Sequence, residues 1–553
     1  MPLRWLLSLI AGAALTAAFL LATDVPLGVP GEWTWKRTDF TGGLRDALLG
    51  AAAAGIVIAL YGAVLHFGRN SVERCPPLKT AAWLTALVVS ATAVLFALES
   101  TTPGDYPAAR QAWVLYDPGA SGYFFEAAHS RKDTAEFLRG YEAKMAEGDV
   151  LHIGTHPPGL ILLHRGLLTV CRDSPGFSRL VLATQPDSVA AAFERIERAA
   201  LLTPRPPPGS DRAALWLAVL LTHLIAAATV VPLFLVVRQD FGPRTAWSVA
   251  AFWPLVPAVA VFLPKSDALF PFLGMLFLWS WRTALRAEKG DWSIFRGTST
   301  GAPNDEGRKM DLSPLLALFA AIAAGLIMFA GLLLSLAMLP VALFAVLLTV
   351  FETFAVALTS QGFQKIPGMC SDAPRLPVTR NVLLAVAAIA AFVAAVLAFS
   401  WTTGANLPAI WAWNYRNHAA FYEQESFPRT WWKWLPVNAV EFTLSVGWPA
   451  ALLVGAVVFR ACRDSRGWRQ RSFAPVWAGL GVIAILWLSG KNMGEAGRLW
   501  LFLYPWVLWM SAGFWQESPE TPTGRGAWYV VLAFQAVVAI LTVMSVQAFH
   551  HVG

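Results

Sequence analysis

Apolar runs about as long as a lipid bilayer is thick recur from one end of this 553-residue chain to the other, and they leave it few folds to adopt. A helix crossing a bilayer needs about 20 residues at about 1.5 Å rise each. Runs of that kind lie at 5–23, 47–67, 80–98, 215–237, 246–263, 268–281, 312–333, 336–358, 382–401, 437–459, 473–489, 499–515 and 528–548, about thirteen in all. The stretch 312–358 is too long for one crossing and divides near Ser335. With 56% hydrophobic and 14% charged residues, an ordinary soluble globule is excluded. Inside lipid every backbone group needs an internal partner, which leaves helices. The expected fold is therefore an all-α polytopic transmembrane helix bundle of about thirteen spans with a small extracytoplasmic helical insertion. It divides into N-terminal transmembrane helices at 1–98, the insertion at 99–211 and a transmembrane core at 212–553.

Orientation follows from the basic residues. Arg69, Arg74 and Lys79; Arg238 and Arg244; Arg282, Arg286, Lys289, Arg296, Arg308 and Lys309; Lys365, Arg375 and Arg380; and Arg460, Arg463, Arg466, Arg469 and Arg471 fall on one side when the spans alternate. That side is assigned to the cytoplasm. Segment 99–211 then lies outside, since loops beyond about 60 residues cross largely regardless of charge. The net charge of +7 is mostly this topology signal and asks for no nucleic acid. Of four cysteines, only Cys171 lies outside, so neither a structural disulfide nor a Cys-x-x-Cys metal pair is expected. Run 5–23 lacks a clear Ala-x-Ala exit and reads as an anchor rather than a cleaved signal.

Segment 99–211 is too long for a plain connector. Residues 134–145 and 189–202 have helical periodicity, 203–209 is a proline-rich lead-in to the next span, and 160–170 lies in the interface or re-enters. Inner loop 291–309 is rich in Gly, Ser, Thr and Asn.

Uncommon polar groups collect on the outer side. Thr155-His156-Pro157-Pro158-Gly159 holds a histidine at the mouth of a helix, because prolines fit a helix start whose N–H groups have no intrahelical partner. Asp117, His152, Lys265, Asp267, Asn414, His418, Arg429, Asn438, Glu441, Lys491, Glu495 and Arg498 map to the outer half of the membrane or just beyond. Ionisable groups there are costly and face a cavity or one another, or else snorkel to the interface. Asp267 caps the next helix or meets a substrate hydroxyl. The aromatics Trp431, Trp432 and Trp434 form an interfacial belt or a platform for a sugar ring. Glu441 lies one helical turn after Asn438 and wants a cationic partner such as Arg429 or Arg498. The run Lys491 to Arg498, two cations around Glu495, suits a phosphate at headgroup depth.

An acid in the first large outer loop, the His156-Pro157-Pro158 entry, Asp267 at the next outer turn and the element from Arg498 to Pro505 together resemble the glycosyltransferase C superfamily. More narrowly, the chain resembles dolichyl-phosphate-mannose protein mannosyltransferases and aminoarabinose transferases. The resemblance runs from Asp117 to Pro505, with one departure. The family places an acidic pair shortly after its first span, whereas here Asp117 follows the third, with Glu126 nine residues on.

The resemblance implies an integral plasma (inner) membrane enzyme that moves a sugar from a polyprenyl-phosphate donor to an acceptor hydroxyl or amine at the outer face. Asp117 is the candidate base that takes the acceptor's proton, and Asp267 is the second candidate catalytic residue. Candidate substrate and phosphate ligands are His156, His152, Lys265, Arg429, Glu441, Lys491, Glu495 and Arg498. The resemblance assigns no cofactor, and metal assistance by a divalent ion held by Asp117, His156 and Asp267 is an alternative. A lipid-linked-glycan ligase or polymerase, a multi-span transporter and a catalytically silent scaffold stay open.

Overall fold

The computed structural model describes residues 2–130, 132–199, 209–287, 313–363, 378–426, 428–464, 470–516 and 522–549. The inner loop 291–309 and residues 203–208 of the lead-in lie outside them. The described residues form the all-α polytopic bundle that the apolar runs demand, and the chain is an integral, multi-pass membrane protein. Nine described helices are long and apolar enough to cross a membrane, or up to ten when one bent pair counts as a span.

The count falls short of thirteen because several apolar runs are not straight helices. The stretch Gly209–Leu255 holds two of the runs and changes direction at Gly242, whose φ of 76° and ψ of 169° are non-helical, with Pro243 behind it. Beyond the break the chain climbs back: Trp247 donates to Leu65 near one end of helix Leu44–Ser71, while Ala260 accepts from Arg110 in the long outer segment. Pro254 and Pro257 cut this ascent into the short helices Trp253–Leu255 and Pro257–Phe262. Run 437–459 bends by 110° between helices Trp431–Val446 and Trp448–Arg463. The hinge is Gly447, at φ 88°, a conformation that glycine adopts without strain. Run 499–515 is likewise a chain of short pieces, Leu501–Leu503, Tyr504–Met510 and Ala512–Gln516.

Broken helices expose backbone groups, which in lipid need partners. Gln535, fully buried in helix Pro522–Ser545, supplies them. Its amide donates to the carbonyls of Leu255 and Val446, both at 2.9 Å, and accepts from the Ala450 N–H at 3.2 Å.

The outer segment is tied down by charge. Glu99, at the end of helix Pro77–Glu99, pairs with Arg110 at 2.7 Å, His223 at 2.9 Å and Gln111 at 2.9 Å, all of them buried. Residues 160–170 form part of helix Gly159–Asp173, which packs on helix Gly209–Ala228. The expected pieces 134–145 and 189–202 correspond to Thr134–Arg139 with Tyr141–Ala146 and to Asp187–Ala199, and residues 200–202 lie outside the described residues.

One element escaped the sequence. Strands Leu27–Val29 and Trp33–Arg37 form an antiparallel hairpin, and Val546–Gln547 adds a third strand. The Glu32 carboxylate at its tip accepts from the Thr430 N–H at 2.8 Å, Lys433 at 3.0 Å and the Trp434 indole at 2.8 Å.

Candidate functional site

Three backbone devices bring the polar groups together on the face that carries segment 99–211. In the first, the Asp117 carbonyl accepts from the N–H groups of Ala120, Ser121 and Gly122, which curls the chain after helix Tyr106–Trp113 into a tight turn. The Asp117 carboxylate is half-buried, and among the described residues no cation pairs with it. Burial raises its pKa, against the opposing pull of the Ala120 and Gly119 N–H groups. A carboxylate with a raised pKa and no cationic partner is a better proton acceptor than an ordinary surface aspartate.

In the second, Asp149 shapes the loop ahead of helix Gly159–Asp173 by accepting from the N–H groups of Leu151, Ile153 and Gly154 at 3.0, 2.9 and 3.1 Å. Asn414 and Asn417, from helix Leu407–Phe421, clamp the Gly154 carbonyl at 2.8 and 2.9 Å. His152 Nε2 lies 2.8 Å from the Gly119 carbonyl and ties this loop to the Asp117 turn. His156 Nδ1 lies 3.1 Å from the His152 carbonyl, which can only accept, so Nδ1 carries the proton and Nε2 keeps its lone pair. Burial lowers the His156 pKa to about 4 and that of His152 well below the usual value, so both rings are neutral at pH 7. Tyr123, at the start of the helix after the Asp117 turn, packs its ring edge-on to His156 with centroids 5.3 Å apart.

The third device is a pair of short connections. Lys265 follows the short helix Pro257–Phe262 and is 3% exposed; Asp267 stands two residues on. Neither side chain has a hydrogen-bond or ion-pair partner among the described residues. Burial and the charge of Arg498 lower the Lys265 pKa to about 7, while Asp267 and Glu495 oppose them. Arg498 donates to Glu495 at 2.7 Å, and its buried Nε has no partner among the described residues. Glu495 is the only described residue other than glycine with a positive φ, 55°, a mark of strain at the turn that presents Arg498.

These devices converge. The charges of Lys265 and Arg498 both act on His152, Asp267 acts on His156, and Asp267 and Arg498 both act on Tyr123. The structure thus gathers Asp117, His152, His156, Lys265, Asp267, Glu495 and Arg498 from four separate stretches of chain. Lys491 lies over the Tyr415 ring, its ammonium 5.1 Å from the ring centre. Two other candidates lie apart in role. Arg429 donates to the backbone carbonyls of Met493, Glu32 and Pro428 and rests on the rings of Trp33, Phe421 and Trp434. Glu441 accepts from the Trp35 indole and the Gly497 N–H, and lines an apolar cavity of about 310 Å³ together with Trp35, Phe262 and Pro436. Neither Arg429 nor Arg498 forms an ion pair with Glu441 among the described residues. Glu126 pairs with Lys144.

Among the described residues no three His, Cys, Asp or Glu side chains are placed to share a metal ion, so Asp117, His156 and Asp267 do not form the ligand set considered from sequence. Tyr123 went unnoticed in the sequence; its position one residue after Gly122, at the first turn of a helix, was the available signal.

No known protein family and no curated protein matches this chain. Two crystal structures of the Archaeoglobus fulgidus oligosaccharyltransferase are similar to it at low level. One, a complex with Zn and sulfate, gives a TM-score of 0.36 at 11% identity, covering 81% of this chain and 53% of that one. The other, tethered by a disulfide bond to an acceptor peptide containing the NVT sequon, gives 0.37 at 11% identity, covering 84% and 55%. The chain therefore spans about half the length of the structures it matches. At this level of likeness, the function rests on the residues of the site.

Proposed function

We propose that this chain is a membrane glycosyltransferase of the glycosyltransferase C type, moving a sugar from a polyprenyl-phosphate carrier to an acceptor hydroxyl or amine at the extracytoplasmic face of the plasma (inner) membrane. The observation that carries this reading is a buried Lys265 without a hydrogen-bond or ion-pair partner and a buried Arg498 Nε without one among the described residues, set with Asp267 around His152 and His156, in the loop that His152 ties to the Asp117 turn. Unpaired buried cations are costly, and an anionic ligand such as a phosphate relieves the cost. Asp117 takes the acceptor's proton as its oxygen or nitrogen attacks the anomeric carbon. The bond from that carbon to the phosphate oxygen breaks, and the charge growing on the departing polyprenyl phosphate falls to Arg498 and Lys265. Neutral His156, with its Nε2 lone pair, accepts a hydrogen bond from a sugar hydroxyl.

One observation favours a transporter as the second reading: helices broken at Gly242 and Gly447, of the sort that line solute paths. Membranes carrying the chain, supplied with a radiolabelled polyprenyl-phosphate sugar, should move label into an acceptor fraction and release polyprenyl phosphate. Uptake of labelled solute into vesicles with no such transfer would replace the glycosyltransferase by the transporter.

A further inference from the structure

Glu441 was expected to meet substrate, yet its hydrogen bonds go to protein. Its Oε1 accepts from the Trp35 indole at 3.1 Å and from the Gly497 N–H at 2.7 Å. The peptide unit on the other side of Gly497 is held as well, since the Tyr504 hydroxyl donates to the Gly497 carbonyl at 3.0 Å. Gly497 stands between the strained Glu495 and Arg498, in a turn that keeps its shape only while neighbouring contacts over-determine it. A side chain at 497 has no room: its Cβ would lie 2.4 Å from Ser445 Oγ and 3.1 Å from Glu441 Oε1.

The support behind Glu441 is continuous. Trp35 belongs to the same hairpin whose Glu32 grips Thr430, Lys433 and Trp434 at the start of the Glu441 helix. One hairpin thus holds that helix at its first turn and again, through Glu441, at the turn that carries Arg498. Among the described residues the Arg498 guanidinium makes one hydrogen bond, to Glu495, so the backbone beneath it decides where its free Nε points.

Given the anion site proposed above, we infer that Glu441 is a positioning residue: it fixes the Gly497 amide and so aims Arg498 at the phosphate, without touching the substrate. What matters is the acceptor oxygen, which glutamine also has.

The test uses the full chain in lipid nanodiscs and two probes, a polyprenyl phosphate and the matching uncharged polyprenol. Glu441→Gln should bind both within about twofold of the unaltered chain. Glu441→Ala should lose roughly tenfold or more for the phosphate, the worth of one well-placed charged hydrogen bond, and nothing for the alcohol. Gly497→Ala, which leaves the carboxylate in place but displaces the turn, should repeat that selective loss and serves if Glu441→Ala does not fold. Unchanged phosphate affinity in Glu441→Ala and Gly497→Ala would overturn the inference. So would equal losses for phosphate and alcohol, which mean general damage, or a Glu441→Gln defect as large as that of Glu441→Ala, which means the charge itself acts. If the alcohol binds as tightly as the phosphate to the unaltered chain, and Arg498→Ala changes neither, the anion site itself fails and the positioning role falls with it.

Discussion

Two buried charge clusters stand at opposite faces of this bundle, and they are built on opposite rules. On the arginine-rich face, Arg282 pairs with Asp240 at 2.9 Å and Glu352 at 2.7 Å, and Arg286 pairs with the same two acids at 2.6 and 3.1 Å. Two cations meet two anions across three helices, a third cation, Arg471, stands 3.8 Å from Glu352, and Trp509 covers Arg282. On the other face, Lys265, Asp267 and Asp117 have no ion-pair partner among the described residues, and Arg498 has only Glu495. Burial of charge is thus no mark of function by itself. In the first cluster each arginine has two acid partners, although the buried Nε atoms of Arg282 and Arg286 go unbonded there too among the described residues; in the second, Arg498 has one acid and Lys265 none.

The comparison predicts different failures on the two faces. Arg282→Ala leaves Asp240 and Glu352 to share Arg286, one buried cation short, and breaking a buried network of this kind costs about 3–5 kcal/mol. The variant should be recovered poorly and melt far below the unaltered chain. A melting temperature within a few degrees would show that the closed cluster does not hold the bundle.

Asp117→Asn should instead leave melting unchanged and lower transfer by about two orders of magnitude or more, as expected for loss of a general base. The base works deprotonated and burial raises its pKa, so turnover should fall as pH drops, with a midpoint above that of an ordinary aspartate at about 3.9. Near-normal transfer by the variant would pass the role to Asp267.

Arg498→Ala should lower transfer by roughly a hundredfold and Arg498→Lys by less, because lysine keeps the charge but not the fork that grips two phosphate oxygens. Equal and mild effects in rate measurements would make Arg498 an interface anchor.

The smallest effect divides the two clusters most cleanly. Lys265→Met removes an unpaired buried ammonium, so it should leave thermal stability unchanged or raise it, while affinity for polyprenyl phosphate falls roughly tenfold. A fall in stability would mean that Lys265 is structural after all.

Much of the bundle was legible because a bilayer enforces one rule along the whole chain. The rule reports apolar length and not straightness: run 437–459 passes the length test, and only the fold reveals the bend at Gly447. Lys265, Asp267, His156 and Arg498 could be picked out because charge is rare in such a sequence. Their roles were harder to read, since a role depends on partners far along the chain. Arg429 is engaged by Glu32, and Glu441 by Trp35, each across about four hundred residues. The 27–37 hairpin is too short to show an alternating pattern, and its third strand arrives at Val546.

Gln535 makes the molecule less modular than its broken helices suggest. One amide closes the gap at Leu255 on the ascent toward Lys265 and the gap at Val446 beneath Glu441. The two discontinuities share a single lock, so neither helix can straighten, tilt or slip without unfastening the other. Any motion that admits or releases a ligand between these helices must carry both arms at once, as a pair of scissor blades turns on one rivet.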